Sequence, residues 1–235
     1  MAKKKKGKKV KPKNREFNPT EEEAEKILTA LKALYADGSA LWCAADEEKF
    51  EGMPTVSELT SASTYGEITM QGVTTVMRKF AKKFKDPDCV FYDLGCGLGR
   101  LVGQVALLSN AKKSIGVELC PNRIAAARNL ADSITFPATK PTFIEGNFLE
   151  QDYSDATIVY IDNTIYPTKV LDQVLSILPP DCILIYQSGW QSHSVPAFPV
   201  ETTYNIKYRE SGKLNTLLAY LGTHCAWRPV KGFEF

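Results

Sequence analysis

The sequence predicts an α/β fold: a doubly wound, mostly parallel sheet with a C-terminal antiparallel hairpin, plus a small N-terminal helical segment. Three observations predict it. Short apolar runs alternate with helix-periodic segments through the middle of the chain. The first run ends in a glycine cluster, Asp93-Leu94-Gly95-Cys96-Gly97-Leu98-Gly99-Arg100, where a strand hands over to a helix. Two extended runs near the C-terminus flank Ser211-Gly212-Lys213, a hairpin signal.

In chain order, residues 1–15 hold Lys3, Lys4, Lys5, Lys6, Lys8, Lys9, Lys11, Lys13 and Arg15 and no acid. Such a stretch has too little apolar content to offset its ordering entropy, so a disordered basic tail is expected. Residues 16–64 read as an N-terminal helical segment and loop. Thr20 and Glu23 form a capping box, and Ile27, Leu28, Leu31, Leu34 and Tyr35 share one helical face. Asp37-Gly38 stops that helix, a second helical piece covers about 39–50, and the stretch Gly52–Thr64 reads as loop. Residues 65–235 form the main domain. Helices are expected over 67–84, 98–108, 121–131 and 168–178. Strands are expected over 89–94, 114–118, 142–144, 157–162 and 182–186, with extended runs 200–208 and 214–221 last.

Charge is unevenly placed. Formal net charge over 235 residues is +2, but beyond residue 15 there are 20 basic and 27 acidic residues, a net of −7. A basic arm on an acidic body suits a polyanion at the arm, and equally suits nuclear import. No apolar stretch follows the lysines, so no secretory signal is expected, and no run is long enough for a membrane helix. The six cysteines show no C-x-x-C spacing and there are two histidines, so no metal site is expected; Cys89 and Cys182 read as core residues.

The glycine cluster carries the chemistry. Ligands of open α/β sheets bind beyond the carboxyl ends of strands, beside such a turn. Glu118 ends the next strand, where a carboxylate can take both ribose hydroxyls. A dinucleotide fingerprint needs glycine at position 100, which is Arg100, and Asp93 would repel a pyrophosphate. A carboxylate suits a cationic ligand instead. S-adenosylmethionine has an ammonium, a sulfonium, a ribose and an adenine, and Asn147 and Phe148 after the third strand supply an amide and an aromatic face for the adenine.

At these residues the chain resembles class I methyltransferases, whose sheet is Rossmann-like. Thr64-Tyr65-Gly66-Glu67, F-x-D-L-G-x-G-x-G, I-G-V-E, G-N-F-L and V-Y-I-D-N, in that order over about residues 60–222, resemble the catalytic domain of the disruptor-of-telomeric-silencing (Dot) histone lysine methyltransferases. The resemblance implies that Tyr65, Gly66, Glu67 and Ile68 close over S-adenosyl-L-methionine. It implies that Asp93, Gly95, Gly97, Gly99 and Arg100 form the floor, that Glu118 takes the ribose, and that Asn147 and Phe148 take the adenine. Asp162, Asn163 and Tyr166 would lie at the methyl group. The family usually has Asp at Asn147, Gln at Arg100 and Asn at Asp162.

These implications amount to a nuclear histone-lysine N-methyltransferase, with a nucleosome or core histone as substrate and DNA held by the basic tail. The oligomeric state stays open. Tyr65, Phe148, Tyr160 and Tyr166 are candidate walls for a lysine channel, and Trp190 is another. Alternatives are a cytoplasmic methyltransferase for a non-histone protein lysine, and a non-catalytic, cofactor-binding adaptor for nucleic acid. A nucleic-acid methyltransferase is disfavoured because Asp162-Asn163-Thr164-Ile165 lacks the [D/N]-P-P-[Y/F] of adenine enzymes.

Overall fold

The computed structural model describes residues 20–35, 68–163, 166 and 168–188, and the strand backbones 201–210 and 213–222. The basic tail, the expected helix at 39–50, the loop 52–64, Tyr65, Gly66, Glu67 and Trp190 lie outside the described residues.

Helix α1 (Glu21–Tyr35) begins at the capping box. The Thr20 amide donates to Glu23 Oε2 at 2.8 Å and the Glu23 amide to Thr20 Oγ1 at 3.3 Å. Helix α2 (Met70–Lys79) starts later than its periodicity suggests, because Thr69 takes the cap and accepts from the Gly72 amide at 3.1 Å. The single expected helix over 67–84 is broken at Phe80 (φ −104°, ψ 26°), with a short α3 (Ala81–Phe84) beyond it. Helices α4 (Arg100–Leu108), α5 (Pro121–Asp132) and α6 (Thr168–Ile177) follow strands β1 (Val90–Leu94), β2 (Lys113–Glu118) and β4 (Ile158–Ile161). The strands are β1 (Val90–Leu94), β2 (Lys113–Glu118), β3 (Thr142–Glu145), β4 (Ile158–Ile161), β5 (Ile183–Ser188), β6 (Glu201–Glu210) and β7 (Lys213–Gly222).

The strand order is β3-β2-β1-β4-β5-β6-β7. All seven belong to one sheet: β6 and β7 continue it past β5 as two ten-residue strands, each antiparallel to its neighbour. Strands β1–β5 pair parallel throughout. The reason is that every connection among β1–β5 is a crossover, which forces parallel pairing.

Side-chain alternation sorts the core into two faces. Phe91, Ile158, Tyr160, Ile183 and Ile185 pack with α2, α3 and α4. Tyr92, Leu94, Val117, Val159, Ile161 and Leu184 pack on the other face with Val174 of α6. Tyr160, expected as a channel wall, is enclosed in the first of these clusters, because the pleat turns it under the helices. Cys89 and Cys182 are buried, as are Cys96 and Cys120.

Helix α1 belongs to this body. Ile27, Leu31 and Leu34 pack on Leu107 of α4 and on Ile134. The approach is close: a methyl group added to Gly103 would stand 2.9 Å from Leu34 Cδ1. No described helix is long and apolar enough to cross a membrane.

Candidate active site

From β1 the chain winds one way to β2 and the other way to β4, so a crevice opens at the carboxyl end of β1. Register decides what lines it. Leu94 pairs with Val117 on one side and Ile161 on the other. The next residues on the three strands are therefore Gly95, Glu118 and Asp162, in a row with the usual strand spacing of about 4.8 Å. Asp93 lies two residues after Phe91, Glu118 two after Gly116 and Asp162 two after Tyr160, so by the pleat all three carboxylates belong to one face.

The glycine bend is held over the end of β2. The amides of Gly95 and Cys96 both donate to the Val117 carbonyl, at 2.8 and 3.0 Å. Gly95, Gly97 and Gly99 have φ of 82°, 53° and 73°, the left-handed region in which a side chain costs about 1–2 kcal/mol. At Gly99 a methyl group would also collide with the Phe143 ring and stand 3.2 Å from Ala127 Cβ. Gly99→Ala is therefore expected to lower folding stability by about 2–5 kcal/mol, from left-handed strain plus overpacking. Urea unfolding checks this, and an unchanged midpoint would contradict the packing account.

Glu118 is buried and does more than face a ligand. Its Oε2 accepts from the Gly97 amide and its Oε1 from the Cys120 amide, each at 2.9 Å. The buried Arg123 guanidinium of α5 stands 3.8 Å from Oε1. Each carboxylate oxygen has a second lone pair, so Glu118 can tie down the bend and still accept a hydroxyl. Arg123 had no signal in the sequence beyond its place in the first turn of α5.

After β3, the Gly146 amide donates to the Glu118 carbonyl at 2.9 Å, which brings this corner to the same crevice. Asn147 caps a 3₁₀ turn (Phe148–Glu150): its Oδ1 accepts from the Leu149 amide at 3.0 Å and its Nδ2 donates to Glu150 at 3.1 Å. Phe148 is half-buried, edge-on to Tyr166, with ring centroids 5.5 Å apart. The Tyr166 hydroxyl reaches 3.1 Å from where a Gly95 Cβ would sit. Burial first, then the charges of Glu118 and Asp162, hold that phenol well above its usual range, with Arg123 opposing. It is therefore a neutral hydroxyl at working pH.

The structure thus gathers Asp93, Gly95, Gly97, Glu118, Phe148, Asp162 and Tyr166. Asn163 follows Asp162, and its Oδ1 is shielded from solvent with no hydrogen-bond partner among the described residues. Two expected site residues are placed differently. Ile68 is buried in the core beneath α2. Arg100 directs its guanidinium over the ring of Tyr35 on α1, 5.8 Å from its centroid. No group of three His, Cys, Asp or Glu among the described residues could hold a metal ion.

The chain is similar to several known proteins. A segment of 93 residues is 39% identical to a protein-lysine N-methyltransferase of Saccharolobus islandicus, covering 39% of this chain and 55% of that one. A segment of 133 residues is 27% identical to the H3 lysine-79 specific histone-lysine N-methyltransferase of Caenorhabditis elegans, covering 52% and 14%. The chain thus spans about half the length of the first relative and less of the second. Among solved structures, an RNA methyltransferase from Salinibacter ruber in complex with S-adenosyl-L-homocysteine matches with a TM-score of 0.44 at 27% identity, covering 57% of this chain and 86% of that one. The family model for the histone methylation protein DOT1 matches residues 56–182, more than half of the sequence, and the chain belongs to that family.

Proposed function

We propose that this protein is an S-adenosyl-L-methionine-dependent protein-lysine N-methyltransferase, acting on a core histone lysine in the nucleosome. The observation that carries the reading is the row of carboxylates at the glycine bend. Glu118 on β2 is fixed by two backbone amides, and Asp162 after β4 lies across β1 from it, with Asp93 on β1 between them. That floor repels phosphate and accepts hydroxyl and ammonium groups. The glycine cradle and the Asn163 oxygen, shielded and without a partner among the described residues, fit the cofactor and an incoming amine.

Bound there, the cofactor supplies a methyl group activated on a sulfonium. The residues of this chain do the rest. Glu118 takes the ribose hydroxyls, Asp93 the ammonium and Phe148 the adenine face; Tyr65, Gly66 and Glu67 cover them, as the resemblance implies. Asp162 orients the substrate amine and accepts its proton, directly or through water, and the Asn163 oxygen accepts a second amine hydrogen. A lysine must lose its proton to attack, from a reference pKa of about 10.4. Burial against Phe148 and Tyr166 and the nearby sulfonium favour the neutral amine; the Asp162 charge opposes them. Alignment within van der Waals reach can supply on the order of 7–11 kcal/mol of the barrier.

The test is transfer of tritiated methyl groups to intact nucleosomes, free histones, RNA and a cytosolic extract in parallel. Label on nucleosomes supports the reading, and label confined to RNA overturns it. Label on a cytosolic protein supports a second reading, a non-histone protein lysine in the cytoplasm. That reading is favoured by Asp162 where the family usually has Asn.

The nine basic residues between Lys3 and Arg15 serve, in the first reading, as a DNA-gripping arm in the nucleus. If four or so phosphates are engaged, nucleosome affinity should fall on the order of 10²-fold between 50 and 200 mM salt. Deleting residues 1–15 is expected to flatten that dependence and weaken binding at low salt, with S-adenosylhomocysteine affinity unchanged. Fluorescence anisotropy with labelled nucleosomes reads both, and an unaltered salt slope would dismiss the arm.

A further inference from the structure

We propose that the outer face of α2 and α3 is a second polyanion surface, which lays the body of the protein on duplex DNA through Arg78, Lys79, Lys82, Lys83 and Lys85. The inference goes beyond the methyl-transfer reading and rests on neither the crevice nor the basic tail.

These five cations fall within eight residues, and no acid occurs between Met70 and Lys85. The body around them is acidic: beyond residue 15 there are 27 acids and 20 bases, these five included. Val76, Met77, Phe80 and Phe84 turn into the core, which leaves the five charged side chains exposed on the outer side of a firmly packed element. Elsewhere surface lysines have acidic neighbours: Lys26 pairs with Glu22, Lys113 with Asp155 and Lys140 with Asp132. No carboxylate of the described residues pairs with Arg78, Lys82, Lys83 or Lys85. Asp86 and Asp88 border the face. Asp86 Oδ1 accepts from the Asp88 amide at 3.0 Å, and Asp88 stands 4.0 Å from Lys112. Helix dipoles favour cations in the last turns of α2 and α3. They do not account for the lack of compensating acids on the neighbouring turns.

The chemistry of the face favours phosphate over an acidic protein. Protein interfaces are anchored by apolar and aromatic side chains and are poor in lysine. Here the large apolar side chains are turned inward. Among the described residues the exposed large ones are Leu28, on α1, and Met70, at the far end of α2. A DNA interface needs no apolar anchor, because counterions released from the phosphates supply the affinity. Position sets the orientation. Helix α3 leads into β1, so the face lies at the amino end of that strand, about 15 Å from the glycine bend. The carboxyl end carries Asp93, Glu118 and Asp162, which repel phosphate. The body is thus oppositely charged at its two ends, and DNA held at one leaves the crevice at the other open.

The test uses the full chain and a short labelled DNA duplex, with fluorescence anisotropy read between about 50 and 200 mM salt. Lys82→Gln, Lys83→Gln and Lys85→Gln are made together. Loss of three phosphate contacts should lower the slope of log affinity against log salt by about 2–3, and weaken binding at low salt by about 10- to 100-fold. The urea midpoint and the affinity for S-adenosylhomocysteine should stay at wild-type values, since the three side chains are exposed. Arginine at the same three positions should keep wild-type binding. The control is Lys26→Gln, Lys140→Gln and Lys169→Gln, which removes the same net charge from other exposed positions and should change the slope by less than about 1. An unchanged slope in the first variant overturns the inference. So does an equal loss in the control, which would reduce the effect to net charge. Poly-L-glutamate is the second probe: if the first variant binds DNA like the wild type and loses only poly-L-glutamate, the face belongs to an acidic protein and the inference falls. The readout is binding, so the result stands whether or not the nucleosome is the substrate.

Discussion

Asp162→Ala is expected to lower methyl transfer by about 10²- to 10⁴-fold, the usual range for loss of a group that handles the proton. Cofactor affinity should change by less than about threefold. The asymmetry follows from position. Asp162 stands one residue beyond β4, beside Gly95 and against the Tyr166 hydroxyl, while the amides that hold the bend lead to Glu118 and Val117. Removing Asp162 therefore takes charge from the reacting end of the crevice without releasing the floor. Asp162→Asn separates shape from charge. It restores the residue usual in the family and is expected to keep a measurable fraction of activity. Single-turnover kinetics with saturating cofactor give the rate, and calorimetry gives the affinity. Unchanged turnover in Asp162→Ala would reduce the carboxylate to a cap on the turn after β4.

The second large effect is expected at Glu118, and there binding and folding fail together. Hydrogen bonds to a charged acceptor contribute roughly 1.5–3 kcal/mol each. Loss of two ribose contacts in Glu118→Ala should thus weaken S-adenosylhomocysteine by about 10²- to 10⁴-fold. The same change strands the buried amides of Gly97 and Cys120 and removes the neighbour of the buried Arg123 guanidinium. Breaking a buried pair by removing one partner costs about 3–5 kcal/mol, so the variant should also unfold at lower urea. Glu118→Gln keeps size and one acceptor oxygen, and should lose less stability while still binding poorly. A Glu118→Ala protein with wild-type affinity would remove the ribose role, whatever its stability.

Much of this site was legible as text. Asp93, the three glycines and Glu118 announce themselves because each satisfies a local demand: positive φ for a tight bend, and a carboxylate at a strand end. What the text could not show is that Glu118 also builds the floor, since the Gly97 amide it holds is 21 residues away in sequence. Two tyrosines make the same point. Tyr160 and Tyr166 are equally plausible channel walls by residue type, yet one is enclosed beneath α2 and α4 and the other reaches the glycine bend. The pleat of β4 and the turn after it decide between them. Arg100 was assigned to the floor from its place in the motif, but the helix it opens turns its guanidinium toward α1.

By itself the sequence determined the order of strands and helices, the capped start of α1, the site of the glycine bend and the types of charge beside it. These depend on residues within a few positions of one another, where periodicity, caps and backbone freedom act. Only the tertiary structure decided that α1 is part of the body, that three carboxylates share one face, and that Gln104 bridges α1 and α2. Those outcomes depend on strand register and on hydrogen bonds closed across tens of residues, and no local pattern encodes which distant partner a buried polar group will meet.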